Sequence, residues 1–277
     1  MVDLLPEDGP RTVDDLTGWM RAHPRAGRVS GGYAHGPHGP EGGPEVGRRE
    51  RAEQYWQAAR HLMESDLQGT RRWLSFLGVT GSTAYGDPQT GDDCDLMAVV
   101  RPGTVWLFLA YVFLRLRLAR RSVNGRFDPV WCFNYTLDER AAIEEFVRPR
   151  GFLFAREALV ARPVQGDGYY RGLLRRGDWL RQEAPRLYAR WESTGLPEPT
   201  APRPAPRGVR WMNGAFFVAV ATYLQLKGLW ANHRLRRAGR GSESFRTVTR
   251  LDRMALATAK FERLSDRMGP ASRLPPQ

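Results

Sequence analysis

Cysteine is scarce in this chain. Cys94 and Cys132 are the only two in 277 residues, which excludes a disulfide framework and any four-cysteine zinc module built from one copy. Lysine is nearly missing as well, since only Lys227 and Lys260 stand among the 42 basic residues. There are five histidines, and His35 and His38 sit among glycines and prolines that forbid the helix needed to aim both at one metal. Long apolar runs are also lacking. The two most apolar stretches, 105–114 and 215–226, fall short of the ~20 residues that span a bilayer. They run into Arg115 and Arg117 in one case and Lys227 in the other, so buried helices are expected, with association of the arginine-flanked helices with a membrane surface as the alternative. The opening MVDLLPEDGPRTVDD is acidic and shows no basic segment followed by an apolar run; a cytoplasmic protein without a secretory leader or transmembrane segment is expected.

What is present suffices for a core: 42% of residues are apolar and 11% aromatic in a 31.4 kDa chain. One to three domains fit that length. The net charge of +12 points to a polyanionic partner such as nucleic acid, nucleotide or acidic membrane, or else to arginine as the default surface cation; composition leaves both open.

Three regions follow from the patterning. Residues 1–48 are loop-rich, with a short capped helix expected over 12–20 and a loop or short hairpin after it. Residues 49–150 open with a helix whose buried stripe is Ala52, Tyr55, Trp56, Ala59, Leu62 and Met63, spaced by three and four. Strands are expected over 73–80, 96–100 and 130–135, with a helix over 104–121 between the last two. Residues 151–277 read as mostly helical, continuing a helical trend from Leu137 and interrupted at 196–207 by prolines that imply a linker or extended strap. Two last helices are expected over 209–234 and 244–268, the second on the stripe Met254, Ala257, Phe261, Leu264 and Met268, joined by the arginine-rich turn RLRRAGRGSES.

One segment carries chemistry: Gly78-Val-Thr-Gly81-Ser82, ten residues, then Asp-Cys-Asp at 93–95 entering a strand. A strand ending in Gly-Ser makes a tight turn whose backbone N–H groups can converge on phosphate, with the serine hydroxyl as a further donor. Alternation places Asp93 and Asp95 on one side of the extended chain, where two carboxylates repel and call for a cation between them. Hard oxygen donors favour Mg2+ or Mn2+. Cys94 alternates to the other face and is expected as a core thiol. Cys132 falls on the Asn134 face and is read as a structural thiol.

The segment resembles the signature of the nucleotidyltransferase superfamily, which includes DNA polymerase β, aminoglycoside nucleotidyltransferases and small prokaryotic MNT-type enzymes. An uncharacterised prokaryotic branch shares further stretches around Cys132-Phe-Asn134-Tyr135, Ala155-Arg-Glu157-Ala158 and Gly177-Asp-Trp179. The resemblance implies an α+β fold, a small mixed β-sheet with a helical C-terminal region closing the cleft, and a possible shrunken winged helix in residues 1–48. It implies transfer of a nucleoside monophosphate from an NTP to an acceptor hydroxyl on a small molecule, RNA or protein. Gly81 and Ser82 would hold the triphosphate and Asp93 and Asp95 would bind two metal ions. The third carboxylate of active members is replaced by Asn134, which cannot take a proton at neutral pH. Asp128, the metal alone, or Glu157 with Glu144 and Glu145 upstream are the remaining routes to a base. A degenerate protein that binds nucleotide or nucleic acid without turnover is the alternative. Arg115, Arg117 and the turn at 234–240 are candidate partners for phosphate charge.

Overall fold

The computed structural model describes residues 15, 28–30, 33–35, 46–89, 91–119, 129–198, 201–241 and 244–258. The expected helix over 12–20, the acid Asp128 and His38 lie outside these residues, apart from Asp15. Within the first region, β1 (Arg28–Ser30) and β2 (Tyr33–His35) pair antiparallel as a short hairpin.

Six strands form one mixed sheet: β3 (Leu74–Val79), β4 (Cys94–Val100), β5 (Trp131–Asp138), β6 (Arg162–Gln165), β7 (Phe245–Arg250) and β8 (Arg253–Thr258), in the order β6-β3-β4-β5-β8-β7. The pair β4/β5 is parallel and every other pair antiparallel. A parallel pair requires a crossover, and α3 (Val105–Ala119) supplies it after α1 (Val46–Glu64) and the one-turn α2 (Gly81–Ala84). Then follow α4 (Glu139–Val147), α5 (Gly151–Val160), α6 (Asp167–Arg176), α7 (Trp179–Glu183), α8 (Pro185–Ser193) and the long α9 (Arg207–Arg237).

Both faces of the central strands are covered, which is why β3 and β4 read as near-continuous apolar runs. Leu96, Ala98 and Val100 point to a core shared with Tyr55, Leu62, Phe108 and Val112 of α1 and α3, with Phe217 and Leu224 of α9 against it. Met97 and Val99 point to a second core with Phe76, Phe146, Leu159, Tyr170 and Leu180, built from α4 to α8. Phe76 stacks on Tyr170 with centroids 4.1 Å apart. Burial of each such side chain contributes about 1.5–3 kcal/mol.

The mixed α+β class expected from the sequence holds, but two helical readings do not. Residues 152–191 are four helices, interrupted by β6, where Pro163 cannot continue a helix and Gly166 adopts φ +78. A Cβ at Gly166 would lie 1.9 Å from the Ser75 carbonyl oxygen, so only glycine lets α6 begin against β3. The expected helix over 244–268 is replaced, over the described residues, by the hairpin β7-β8. The β-branched run Thr-Val-Thr in Phe-Arg-Thr-Val-Thr-Arg and a two-residue turn at Leu251-Asp252 win over the three-and-four spacing of Met254 and Ala257. The proline segment is an extended strap tied down at two points: Arg203 N donates to buried Glu139 (2.8 Å) and Ala205 N to the Pro102 carbonyl (3.1 Å).

Candidate metal and nucleotide site

The site forms where β3 and β4 end side by side. Thr80 N donates to the Asp95 carbonyl (2.9 Å), fixing the end of β3 to β4. Gly81 then turns into α2 with φ +64, and a Cβ there would stand 2.4 Å from Asp95 Oδ2. That contact gives the glycine of the Gly-Ser pair its reason: it lets the turn sit directly on the carboxylate.

Asp93, Asp95 and Cys132 converge, each offering a ligand atom within 4.8 Å of the others. Alternation along β4 puts the two acids on one side, as expected, and sends Cys94 into the core, where burial pushes its thiol up to about 12. Cys132 is opposite Asp95 in the parallel register, so its thiol belongs to the site rather than to the core. Burial, with the charges of Asp95 and Asp93 beside it, pushes its thiol up. A register shift follows: Asp95 pairs with Cys132 but Met97 with Tyr135, so β5 carries one extra residue. The bulge lets Asn134 stay on the site face while Tyr135 returns to the second core. Asn134 Nδ2 donates to Asp95 Oδ1 (2.9 Å), and its own Oδ1 is buried without a hydrogen-bond partner.

Burial, with the neighbouring Asp93 charge, raises the Asp95 carboxyl to about 7. Glu157 of α5 also adds to the negative potential at Asp95. It lies mostly buried, its own pKa raised by that burial, and accepts hydrogen bonds from the Gly81 N–H and from Tyr85 Oη (2.8 Å). Arg156 Nε in turn donates to Tyr85 Oη (3.0 Å), with its guanidinium over the Tyr85 ring. The loop between the motif halves is clamped to α1, since Arg48 pairs with Asp87, Arg51 donates to the Pro88 carbonyl and Tyr55 Oη donates to the Asp92 carbonyl. Ser82 Oγ is turned to Asp92 Oδ2 (3.1 Å), which also accepts from Gln89 N (2.8 Å).

The motif residues Gly81, Ser82, Asp93, Asp95 and Asn134 are therefore brought together, with Asp128 outside the described residues. Sequence reasoning took Cys132 for a structural thiol. Its parity with Asn134 was the available signal. Tyr85, one helical turn after Gly81, went unnoticed. Arg115 is directed elsewhere, to Asp66 (3.4 Å), and α3 and α9 pack on the sheet face opposite Asp95. Two carboxylate oxygens and a sulfur are a donor set that suits a divalent cation, the oxygens matching Mg2+ or Mn2+ and the sulfur shifting preference toward softer ions. Comparison with protein-family models, with curated proteins and with solved structures gives no match.

Proposed function

We propose that this chain is a metal-dependent nucleotidyltransferase, moving a nucleoside monophosphate from an NTP to an acceptor hydroxyl. The observation that carries this reading is the seating of the Gly81-Ser82 turn on Asp95, with Asp93 and Cys132 beside it. Asp93 and Asp95 would hold the cation, with Cys132 as a further donor. A divalent ion there would neutralise phosphate charge and lower the pKa of the acceptor hydroxyl. Ser82, on exchanging its hydrogen bond to Asp92, and the N–H groups of Ser82 and Thr83 would receive the phosphates. Glu157, mostly buried on the same side of the sheet, is the carboxylate best placed to take the acceptor proton in place of Asn134. The acceptor is a small molecule, an RNA or a protein.

A second reading, nucleotide binding without turnover, is favoured by two contacts. The Asn134 amide occupies an oxygen of Asp95, and the Gly81 N–H is already engaged by Glu157. Isothermal titration with non-hydrolysable NTPs, with and without Mg2+ or Mn2+, tests both. Metal-dependent binding that vanishes in the Asp93→Asn/Asp95→Asn variant is expected. Absence of binding by every NTP overturns both readings. Pyrophosphate release with hydrolysable NTP and candidate acceptors separates the enzyme from the binder.

A further inference from the structure

The helix α9 carries large apolar side chains on the face turned away from the protein. Trp211 (83%), Met212 (55%), Phe216 (39%), Val218 (66%), Tyr223 (57%), Leu226 (62%), Leu229 (67%) and Trp230 (59%) are all exposed among the described residues. Its other face is fully used: Asn213 and Ala221 are buried, and Phe217 packs edge-on against Trp106 of α3. The outer residues Met212, Ala215, Ala219, Thr222, Leu226, Leu229 and His233 recur at alternating steps of three and four, the seam along which one helix packs on another.

We infer that this face is the interface between two copies of the chain, joined by their α9 helices in antiparallel pairing about a two-fold axis at Thr222. The area fits. At ~150–250 Å2 per ring, the four aromatic side chains alone leave on the order of 500 Å2 open. With the four aliphatic ones the face approaches the ~800 Å2 that each partner of a stable dimer contributes, and exceeds what monomers ordinarily leave bare.

The distribution of sizes selects the orientation. Next to Thr222 the seam carries the small Ala215 and Ala219 on one side and the large Leu226 and Leu229 on the other, so a two-fold at Thr222 sets Ala215 opposite Leu229 of the second copy and Val218, flanking the seam, opposite Leu226. Parallel pairing would put alanine on alanine and leucine on leucine, leaving a void in one half and crowding in the other. It would also place the helix dipoles side by side in unfavourable alignment. An interface that meets itself must keep charge away from its middle. Between Trp211 and Asn232 the only charged residue is Lys227, while Arg207, Arg210, Arg234, Arg236 and Arg237 stand at the ends, and α9 holds no acidic residue. Antiparallel pairing brings those cationic ends near each other, so their repulsion is screened by salt and the dimer tightens as ionic strength rises. An anionic membrane on the same face would give the opposite dependence.

The test is the molar mass of the full chain by light scattering after size exclusion, at ~0.05 M and ~0.5 M salt. Two copies, more completely associated in the higher salt, are expected. The variant Leu226→Glu/Leu229→Glu alters only exposed positions and is expected to run as one copy with unchanged circular dichroism, its Kd weakened ~100-fold or more. Thr222→Cys lies on the axis and is expected to give a disulfide-linked dimer on mild oxidation, which the wild type, with Cys94 buried and Cys132 on β5 rather than on α9, does not. This arm stands even if the double variant fails to fold. A wild type of single-copy mass at tens of micromolar in both salts overturns the inference. So does a dimer that survives the double variant in folded form, or one in which Thr222→Cys does not cross-link. A single-copy chain that floats with phosphatidylserine vesicles and is released by salt assigns the face to a membrane and equally overturns it.

Discussion

Glu157 is a carboxylate held in a mostly buried place for a purpose its hydrogen bonds reveal: it engages the Gly81 N–H and Tyr85 Oη, and so links α5 to the motif turn. Burial raises its pKa above the ordinary 4.5. A carboxyl whose pKa is raised by folding keeps its proton in the folded state where the unfolded chain has lost it. The folded state is therefore favoured at low pH, and that advantage falls as pH rises from near 4.5 through the folded value. The variant Glu157→Gln keeps an acceptor oxygen but does not titrate. It is expected to melt above the wild type at neutral pH, with the gap in Tm closing as the buffer is taken down toward pH ~4.5; a gap independent of pH would show that the carboxylate is not penalised in the fold. At this scale the sequence was informative where backbone periodicity decides the outcome: the shared face of Asp93 and Asp95 and the core position of Cys94 both follow from alternation. It offered Glu157 only as one of several routes to a base and was silent on Tyr85, because a helix-borne glutamate looks solvated until tertiary packing brings α5 over the strand ends.

Among the elements, α3 shows how much of a helix's stability comes from residues far along the chain. Thr104 stands at the position of an N-cap, yet its hydroxyl donates back to the Arg101 carbonyl (2.8 Å). The cap is supplied from α9, where buried Asn213 accepts from Trp106 N (2.8 Å) and Leu107 N (3.4 Å). Loss of this oxygen removes a cap, worth ~0.5–2 kcal/mol, and leaves a buried N–H unpaired, at a further ~1–3 kcal/mol. Asn213→Ala is thus expected to destabilise by about 2–4 kcal/mol in urea unfolding, with Asn213→Asp losing much less; equal loss in both would point to packing rather than capping. No local pattern announces a cap donated across 107 residues of chain. The hairpin β7-β8 escaped for a related reason. Met254 and Ala257 fit a helical stripe as well as they fit strand positions, and what decides between them is the open edge of β5, against which Leu137, Thr136 and Tyr135 pair with Arg253, Met254 and Ala255. The central strands were legible because burial on both faces makes them apolar throughout.

The central sheet is completed by elements far along the chain. Strands β3 and β5, at 74–79 and 131–138, take their outer partners from β6 and β8, which come from the region beyond residue 150. Arginine serves that assembly as well as the net charge: seven guanidiniums lie over aromatic rings among the described residues, including Arg162 of β6 over Trp56 of α1 and Arg171 of α6 over Trp191 of α8. Lysine cannot stack in this way, so part of the +12 charge is packing and not a polyanion site. The motif-bearing segment 49–150, which patterning alone delimits as a core, is consequently incomplete. Cut out, it would open β3 and β5 as sheet edges, remove Tyr170 from Phe76, and expose the strand face now covered by α5 to α8. Free edges and a bare apolar face are what drive association of unfolded chains. The fragment 49–150 is expected to show no cooperative melt and to bind the dye ANS, whereas a chain extended through residue 258 melts in a single transition. A sharp melt with protected amides in the fragment would mean that the helices beyond residue 150 decorate the candidate site rather than hold it together.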